Sequence, residues 1–442
     1  MNTEVKRMFQ RKKFLFVSII LTVAIVGAVI GKWTLATVNA QNSYEDFKIF
    51  TEVLTMVKKN YVDEVKTKDL ITGAIRGMIA SLDPHSGYMT PDAFKELQVE
   101  TKGEFGGLGI QIGMKDALLT VIAPIEDTPA YRAGIKAGDK IIKIGGEPTK
   151  NMSITDAVAK MRGPKGTPIT LTILREDLKE PKDFTIVRDI IKIKSVKSKM
   201  VDSSIGYVKL TQFQETTASD LASALKTLKK DGMASLILDL RNDPGGLLNS
   251  AVDVAEQFLP GKKLVVYIKG RTGEKIEYLT EGRHTSYDVP MVVLVNQGSA
   301  SASEIVAGAL KDWNRAIIVG TQTFGKGSVQ SLIPLSDGSG LRLTTAKYYT
   351  PKGTSIQSVG ITPDIMVKLE AKDAKNNHPV IRERDLERHL RNDKVEDQLK
   401  EDHETKEVAP FEVEEKDDVQ LQRAIDTLKT WKVFEKMLNK AA

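Results

Sequence analysis

The sequence predicts an α/β (α+β) protein whose sheet-forming part is interrupted by a separate glycine-rich unit. Three observations predict it. Between about 189 and 369, the strand-like runs Ile205–Leu210, Leu236–Leu240, Leu264–Ile268, Met291–Val295 and Ile317–Val319 alternate with helical stretches such as Ala218–Leu228. That alternation is the pattern of a mainly parallel core. Residues 98–188 have their own glycine turns and alternating apolar runs. The first 40 residues carry a basic cluster and a long uncharged apolar run. A length of 442 residues suits two or three domains.

Residues 1–40 read as a signal peptide or signal anchor. Lys6, Arg7, Arg11, Lys12 and Lys13 precede the run from Phe14 to Gly31, and Lys32 and Trp33 close it. Basic residues on that side keep the start of the chain in the cytoplasm and send the rest across the membrane. The run is long for a signal core and near the lower limit of a span. Val38-Asn-Ala40 offers a small-residue cleavage site, so a retained anchor and a cleaved signal are both open. Residues 41–97 are expected to be helical. Phe47, Phe50, Val53, Leu54 and Val57 recur at helical spacing, and a second helix runs from Leu70 to Leu82, ending at Asp83-Pro-His-Ser-Gly87. This region reads as packing and self-association surface, with no catalytic role for His85.

Residues 98–188 open on Gly103-Glu-Phe-Gly-Gly-Leu-Gly-Ile-Gln-Ile-Gly113. A phosphate-binding loop is the competing reading. Here the glycines precede a strand and no Lys-Ser pair follows, so it fails. Thr128-Pro-Ala-Tyr-Arg-Ala-Gly-Ile-Lys-Ala-Gly-Asp139 then leads into Lys140-Ile-Ile-Lys-Ile-Gly-Gly146. This unit resembles a PDZ domain, with Thr155–Met161 as its second helix and Ile169–Leu174 as a closing strand. The resemblance implies capture of a carboxyl-terminal tail as an added strand. The backbone of Gly106, Gly107, Leu108, Gly109 and Ile110 is the candidate carboxylate loop. Arg162, at the end of the second helix, is a candidate coupler between tail binding and the catalytic cleft; an ordinary surface arginine is the alternative reading.

Residues 189–369 carry the chemistry. Met291–Val295 runs into the serine-rich turn Asn296-Gln-Gly-Ser-Ala-Ser-Ala-Ser-Glu304, and a helix is expected from Glu304 onward through Ile305, Val306, Ala309 and Leu310. A hydroxyl at such a turn lies beside the free N–H groups of a helix start, which suit a developing oxyanion. Serine needs a partner to take its proton. The chain has five histidines and no G-x-S-x-G elbow, so a Ser/His/Asp triad has no support. Lys326, between Gly325 and Gly327, can act as base when it is neutral. Its ordinary pKa of about 10.4 falls on burial. Gln330 is four residues further, on the same face of a strand, and is placed to orient the amine.

N-x-G-S-A-S-A-S-E-I followed by F-G-K-G-x-V-Q resembles the signature of the carboxyl-terminal processing peptidases, or tail-specific proteases. Spacing alone leaves Ser299, Ser301 and Ser303 open. The resemblance selects Ser301 as nucleophile, with the lysine 25 residues later at Lys326 and the glutamine at Gln330. It gives Ser299 and Ser303 structural roles, and Asp312 matches an acidic position found in some members. The strand Leu236–Leu240 and the turn Arg241-Asn-Asp-Pro-Gly-Gly-Leu-Leu248 also match. There the resemblance implies an oxyanion hole from Gly245 or Gly246 together with Ala302. It further implies a crotonase-like or Clp-protease-like core, self-association, and an adaptor protein for some members.

Residues 370–442 form a charged linker and a terminal helix. Lys372–Asp418 is dense in both charges and reads as largely solvated. Leu421, Ala424, Ile425, Leu428, Trp431, Phe434 and Leu438 then make an apolar stripe at helical spacing, for packing on its own core or for a dimer or adaptor contact. The absence of cysteine excludes disulfides and cysteine-zinc sites. No metal or cofactor is expected. A net charge of +6 with mixed signs and no aromatic-interleaved basic patch gives no nucleic-acid signal.

The expected activity is an exported serine endopeptidase of the bacterial cell envelope, its catalytic part outside the cytoplasm, cutting proteins that it holds by their carboxyl-terminal tails. The alternative is a membrane-anchored PDZ binding protein with an inactive or adaptor-dependent protease fold.

Overall fold

The computed structural model describes residues 45–115, 118–150, 152–175, 177–178, 180–283, 287–369, 377–392, 408–410 and 415–441. The expected membrane segment and the cleavage site at Ala40 lie outside them. Among the described residues no helix is long and apolar enough to cross a membrane. Two compact units meet at the Met78–Ile79 peptide. In the first, residues 45–60 are helical and the helix Thr67–Ala80 begins. The apolar stripe expected there forms, but Phe47, Phe50 and Val53 are exposed, Phe47 at 72%.

In the second unit a six-stranded sheet carries the catalytic turns. Its order is Val196–Asp202, Ile205–Leu210, Ser235–Asp239, Met291–Val295, Ile317–Gly320 and Ile365–Met366. The first pair is antiparallel and the others are parallel. Ser235–Asp239 and Met291–Val295 are buried at every residue, as befits parallel strands covered on both faces. One face packs Leu236, Leu238 and Val293 against the helices Thr217–Lys230, Leu248–Glu256 and Ala302–Asp312. The opposite face packs Ile237, Val292 and Leu294 against Leu421, Ala424 and Leu428 of the terminal helix Val419–Ala441. The terminal stripe therefore divides. Its first half covers the sheet, and Trp431, Phe434 and Leu438 remain exposed.

The run Leu264–Ile268 departs from the expected parallel core. It forms the strand Leu264–Gly270, which pairs antiparallel with Lys275–Leu279 and with Gly340–Tyr349 in a second sheet. The physical reason is a tight turn at Gly270–Gly273, which folds the chain back before a crossover helix can form. Gly340–Tyr349 also pairs with Ser328–Pro334 and Gly87–Met89.

The glycine-rich unit builds its own core from Leu119, Val121, Ile141, Ile144, Leu171, Ile173 and Ile186. Its sheet runs Ile110–Lys115, Leu118–Pro124, Lys140–Ile144, Pro168–Leu174 and Lys182–Val187, all antiparallel. Ile110–Lys115 is an edge strand beside the helix Ile154–Met161. Ser153 caps that helix by accepting from Asp156 N at 3.1 Å.

The charged segment after residue 370 also differs from expectation. Residues 380–392 lie as a strap on the catalytic domain, with Arg382 and Glu383 buried. Their charges are met inside: the Arg382 guanidinium donates to carbonyls of Gln322 and Thr323, and Glu383 faces His85 and Gln357. A buried charge that is fully hydrogen-bonded need not stay in solvent.

Candidate active site

Asn296 ends the buried strand and ties two turns together. Its Oδ1 accepts the Asn242 and Gly298 N–H groups at 2.9 and 3.0 Å, and its Nδ2 donates to Asn242 Oδ1 at 2.7 Å. Ser299 Oγ accepts Asn296 N–H and donates to Leu240 O, while Ser303 Oγ donates to Asp243 O. Both serines are fully buried, in the structural roles expected of them. Ser301 is different. Its φ of 55° and ψ of −112° are disfavoured for any side chain with a Cβ. It stands immediately before the helix Ala302–Asp312.

Glu304 organises the site. Its Oε2 accepts the N–H of Ser301 at 2.8 Å and the N–H of Lys326 at 3.0 Å. Its Oε1 accepts Thr323 Oγ1 at 2.5 Å and the Gly325 N–H at 2.8 Å. One buried carboxylate oxygen thus fixes the backbone of both predicted catalytic residues. Burial pushes its pKa up to about 7, against the pull of the four donors.

The pKa of Lys326 is lowered, first by desolvation and then by the charge of Arg342; Glu383, Glu304 and Asp83 act in the opposite direction. Tyr348 is buried beside Lys326, and its hydroxyl donates to Lys326 O. Burial holds this phenol well above its ordinary pKa, so it stays protonated at neutral pH.

Gln330 is placed differently from the expectation. Its Nε2 donates to Ser328 Oγ at 2.9 Å and Thr344 Oγ1 at 3.4 Å. The strand starts at Ser328, beyond Lys326, and a bulge falls between Val329 and Gln330. An extra residue at a bulge breaks the alternation on which a shared face depended. Gln330 instead joins Thr344, Asp83 and Ser86. His85 Nε2 faces Glu383 at 2.7 Å, consistent with a structural role. Asp312 accepts the Lys352 N–H at 2.8 Å.

The glycine turn abuts Ser301. A Cβ added to Gly245 would lie 2.6 Å from Ala300 O and 2.9 Å from Ser301 Cβ, so only glycine fits. The Gly245 N–H is engaged, donating to Asp243 Oδ1 at 2.8 Å. Gly246, exposed with φ 150°, and Ala302, first residue of the helix, are the candidates that remain. Burial pushes the Asp243 carboxyl up to about 8, so it is mainly neutral at pH 7. Arg241 precedes this turn and is pinned by Asp239 at 2.7 Å and by Asp418 of the carboxyl-terminal region at 2.8 Å.

In the glycine-rich unit the predicted loop is shorter than expected. Gly106 and Gly107 pair with Ile190 and Asp189 in a ribbon. Gly106 also accepts the Gly163 N–H, and a Cβ on it would meet Gly163 O at 2.1 Å. These two glycines serve close packing. Leu108, Gly109 and Ile110 remain at the head of the edge strand, with Gly109 at φ 77°. Arg162 spans from this unit to the protease body. Its Nη2 donates to Glu96 Oε1 at 2.8 Å, its Nη1 donates to Glu96 Oε2, and its guanidinium lies 4.6 Å from the Phe105 ring centroid.

Residues 204–367 match the model of peptidase family S41, residues 120–175 that of the PDZ domain, and residues 31–93 that of the activating protease CtpB N-terminal domain. A carboxy-terminal-processing protease of Bartonella bacilliformis is 45% identical over 402 residues, covering 90% of this chain and 91% of that one. The chain belongs to the carboxy-terminal-processing protease family. A carboxyl-terminal-processing protease of Synechocystis is 39% identical, covering 73% of this chain and 81% of its own. The Bacillus subtilis carboxy-terminal processing protease CtpA is 37% identical, covering 75% and 71%. The solved photosystem II D1 C-terminal processing protease is 30% identical, with a TM-score of 0.43 over 74% of this chain and 95% of that one.

Within this site, sequence reasoning missed Glu304, Tyr348 and Glu383. For Glu304 a signal was present. Ser301-Ala-Ser-Glu304 has the spacing of a helix capping box, in which the acid reaches back to the N–H of the capping residue. Tyr348 and Glu383 reach the site through tertiary packing and carry no local signal.

Proposed function

We propose that Ser301 and Lys326 form the catalytic pair of this peptidase. The observation that carries the reading is the single Glu304 oxygen bridging their two backbone N–H groups. Ser301 Oγ attacks the scissile carbonyl carbon as its proton passes to neutral Lys326 Nζ. The resulting oxyanion accepts from Gly246 and Ala302. The C–N bond then breaks, the amine takes the proton from Lys326, and an ester to Ser301 remains. Water, deprotonated by Lys326, cleaves that ester and frees Ser301. Activity should therefore rise with pH through a lysine pKa below its ordinary value of 10.5.

The test uses the full chain and an unfolded protein with an apolar carboxyl-terminal tail. Lys326→Ala is expected to lose about 10²- to 10⁴-fold in kcat. Retention of wild-type turnover would remove lysine from the mechanism.

The tail is proposed to add to the edge strand Ile110–Lys115, with Leu108, Gly109 and Ile110 at its carboxylate. Arg162, through Glu96 and Phe105, is proposed to pass this occupancy to the protease body. Arg162→Ala and Glu96→Gln are expected to lose tail-stimulated cleavage alike, with tail-independent cleavage kept. Unequal behaviour of the two variants would break the proposed link.

The basic flank and apolar run before residue 32 support export to the envelope, and the exposed Trp431, Phe434 and Leu438 support self-association or an adaptor contact. Protection of the catalytic domain from external protease in spheroplasts would argue against export. A Trp431→Glu chain that sediments like the wild type would argue against self-association through this stripe.

A further inference from the structure

The strap follows the family-matched residues 204–367 and lies against the loop that carries Lys326. Glu383 N–H donates to Phe324 O at 3.0 Å. The Glu383 carboxylate is fully buried, accepts Gln357 Nε2 at 2.9 Å and lies 2.7 Å from His85 Nε2. Gln357 turns the same contact back onto the loop. Its Oε1 accepts the Gly327 N–H at 2.9 Å, and its Nε2 also donates to Leu390 O at 3.0 Å. Asn392 Nδ2 donates to Gln357 O at 2.6 Å. The Lys326 loop is therefore held on one side by Glu304 and on the other by the strap and Gln357.

We propose that Glu383 is a positioning residue for the lysine base: its buried side chain docks the strap, through Phe324 and Gln357, on the loop that presents Lys326. The proposal rests on the Ser/Lys reading above. The charged groups acting on Lys326 are Arg342, from the strand Gly340–Tyr349, Glu304, from the nucleophile helix, Asp83, from the turn before Ser86, and Glu383. Glu383 itself faces His85 and Gln357. Arg342 favours neutral lysine, while the carboxylates favour the ammonium. Glu383 thus keeps the base from losing its proton at too low a pH.

The experiment is the pH profile of kcat/KM for the full chain. Glu383→Gln keeps the size and hydrogen-bonding reach of the side chain and removes its charge. The acid limb is expected to move to lower pH. Glu383→Asp keeps the charge on a shorter arm, so its limb should stay in place while kcat falls. A limb that does not move in Glu383→Gln, or one that moves in Glu383→Asp, overturns the proposal. If Glu383→Gln does not fold, Glu383→Asp decides by its kcat: a fall supports the docking role, and a wild-type kcat overturns it. Lys326→Ala separates the two levels: its retained activity would refute the Ser/Lys reading, whereas an inactive Lys326→Ala with an unmoved Glu383→Gln limb refutes only the role of Glu383.

Discussion

Replacing Ser301 by alanine or by glycine is expected to give two proteins that are equally inactive and unequally stable. Either change removes the proposed nucleophile, and kcat should fall by roughly 10⁴-fold or more. The backbone distinguishes them. Ser301 sits at φ 55° and ψ −112°, where alanine keeps the Cβ and its strain while glycine loses both. Strain of this kind costs on the order of 1–3 kcal/mol, partly offset in glycine by the entropy of its unfolded chain. Ser301→Gly should therefore unfold at higher urea than Ser301→Ala, with an unchanged denaturant slope. Binding of a tail peptide should be equal in both, because the edge strand of the PDZ unit is untouched. Residual cleavage at the wild-type rate would dismiss Ser301 as nucleophile. A glycine variant less stable than the alanine variant would dismiss the strain.

Glu304→Ala is expected to be the most destabilising single change at the site. It leaves the N–H groups of Ser301, Gly325 and Lys326 and the Thr323 hydroxyl without their acceptor. Each orphaned buried donor costs about 1–3 kcal/mol, and the combined loss should reach about 3–5 kcal/mol. Glutamine is a poor substitute, because whichever way its amide turns, an NH₂ group meets two donors. Both variants should lose cleavage through displacement of Ser301 and Lys326.

The pH dependence has a fixed sign. The Glu304 pKa lies near 7 when folded, against an ordinary 4.5, so the folded state holds this proton more tightly. The associated stability is complete below about 4.5 and is lost as pH rises towards 7, by at most about 1.4 kcal/mol per pH unit. Glu304→Gln has no such group. The stability gap between it and the wild type should narrow as pH rises over that window, measured by urea unfolding at a series of pH values. A widening gap would show that the donors outweigh burial.

Much of the candidate site was legible because it depends on local spacing. The apolar run Met291–Val295 and the small-residue turn after it announce a buried strand and an exposed hydroxyl. The parallel strands were readable for the same reason, since burial on both faces leaves uninterrupted apolar runs. Gln330 was misplaced because a bulge is set by cross-strand register, which no single strand displays. The engagement of the Gly245 N–H by the side chain of Asp243, two residues away, was not legible because no local pattern displays it. The strap was read as solvated because charge density alone does not show that His85 and Gln357, far away in sequence, await Glu383.

The pinning of Arg241 joins two segments that are far apart in sequence. Arg241 leads directly into the glycine turn beside Ser301, and its two carboxylate partners, Asp239 and Asp418, lie two and 177 residues away. A buried guanidinium that loses one of its partners is left with an uncompensated charge. Loosening of the charged segment that carries Asp418 is therefore felt at the turn beside Ser301, although the two share no sequence neighbourhood.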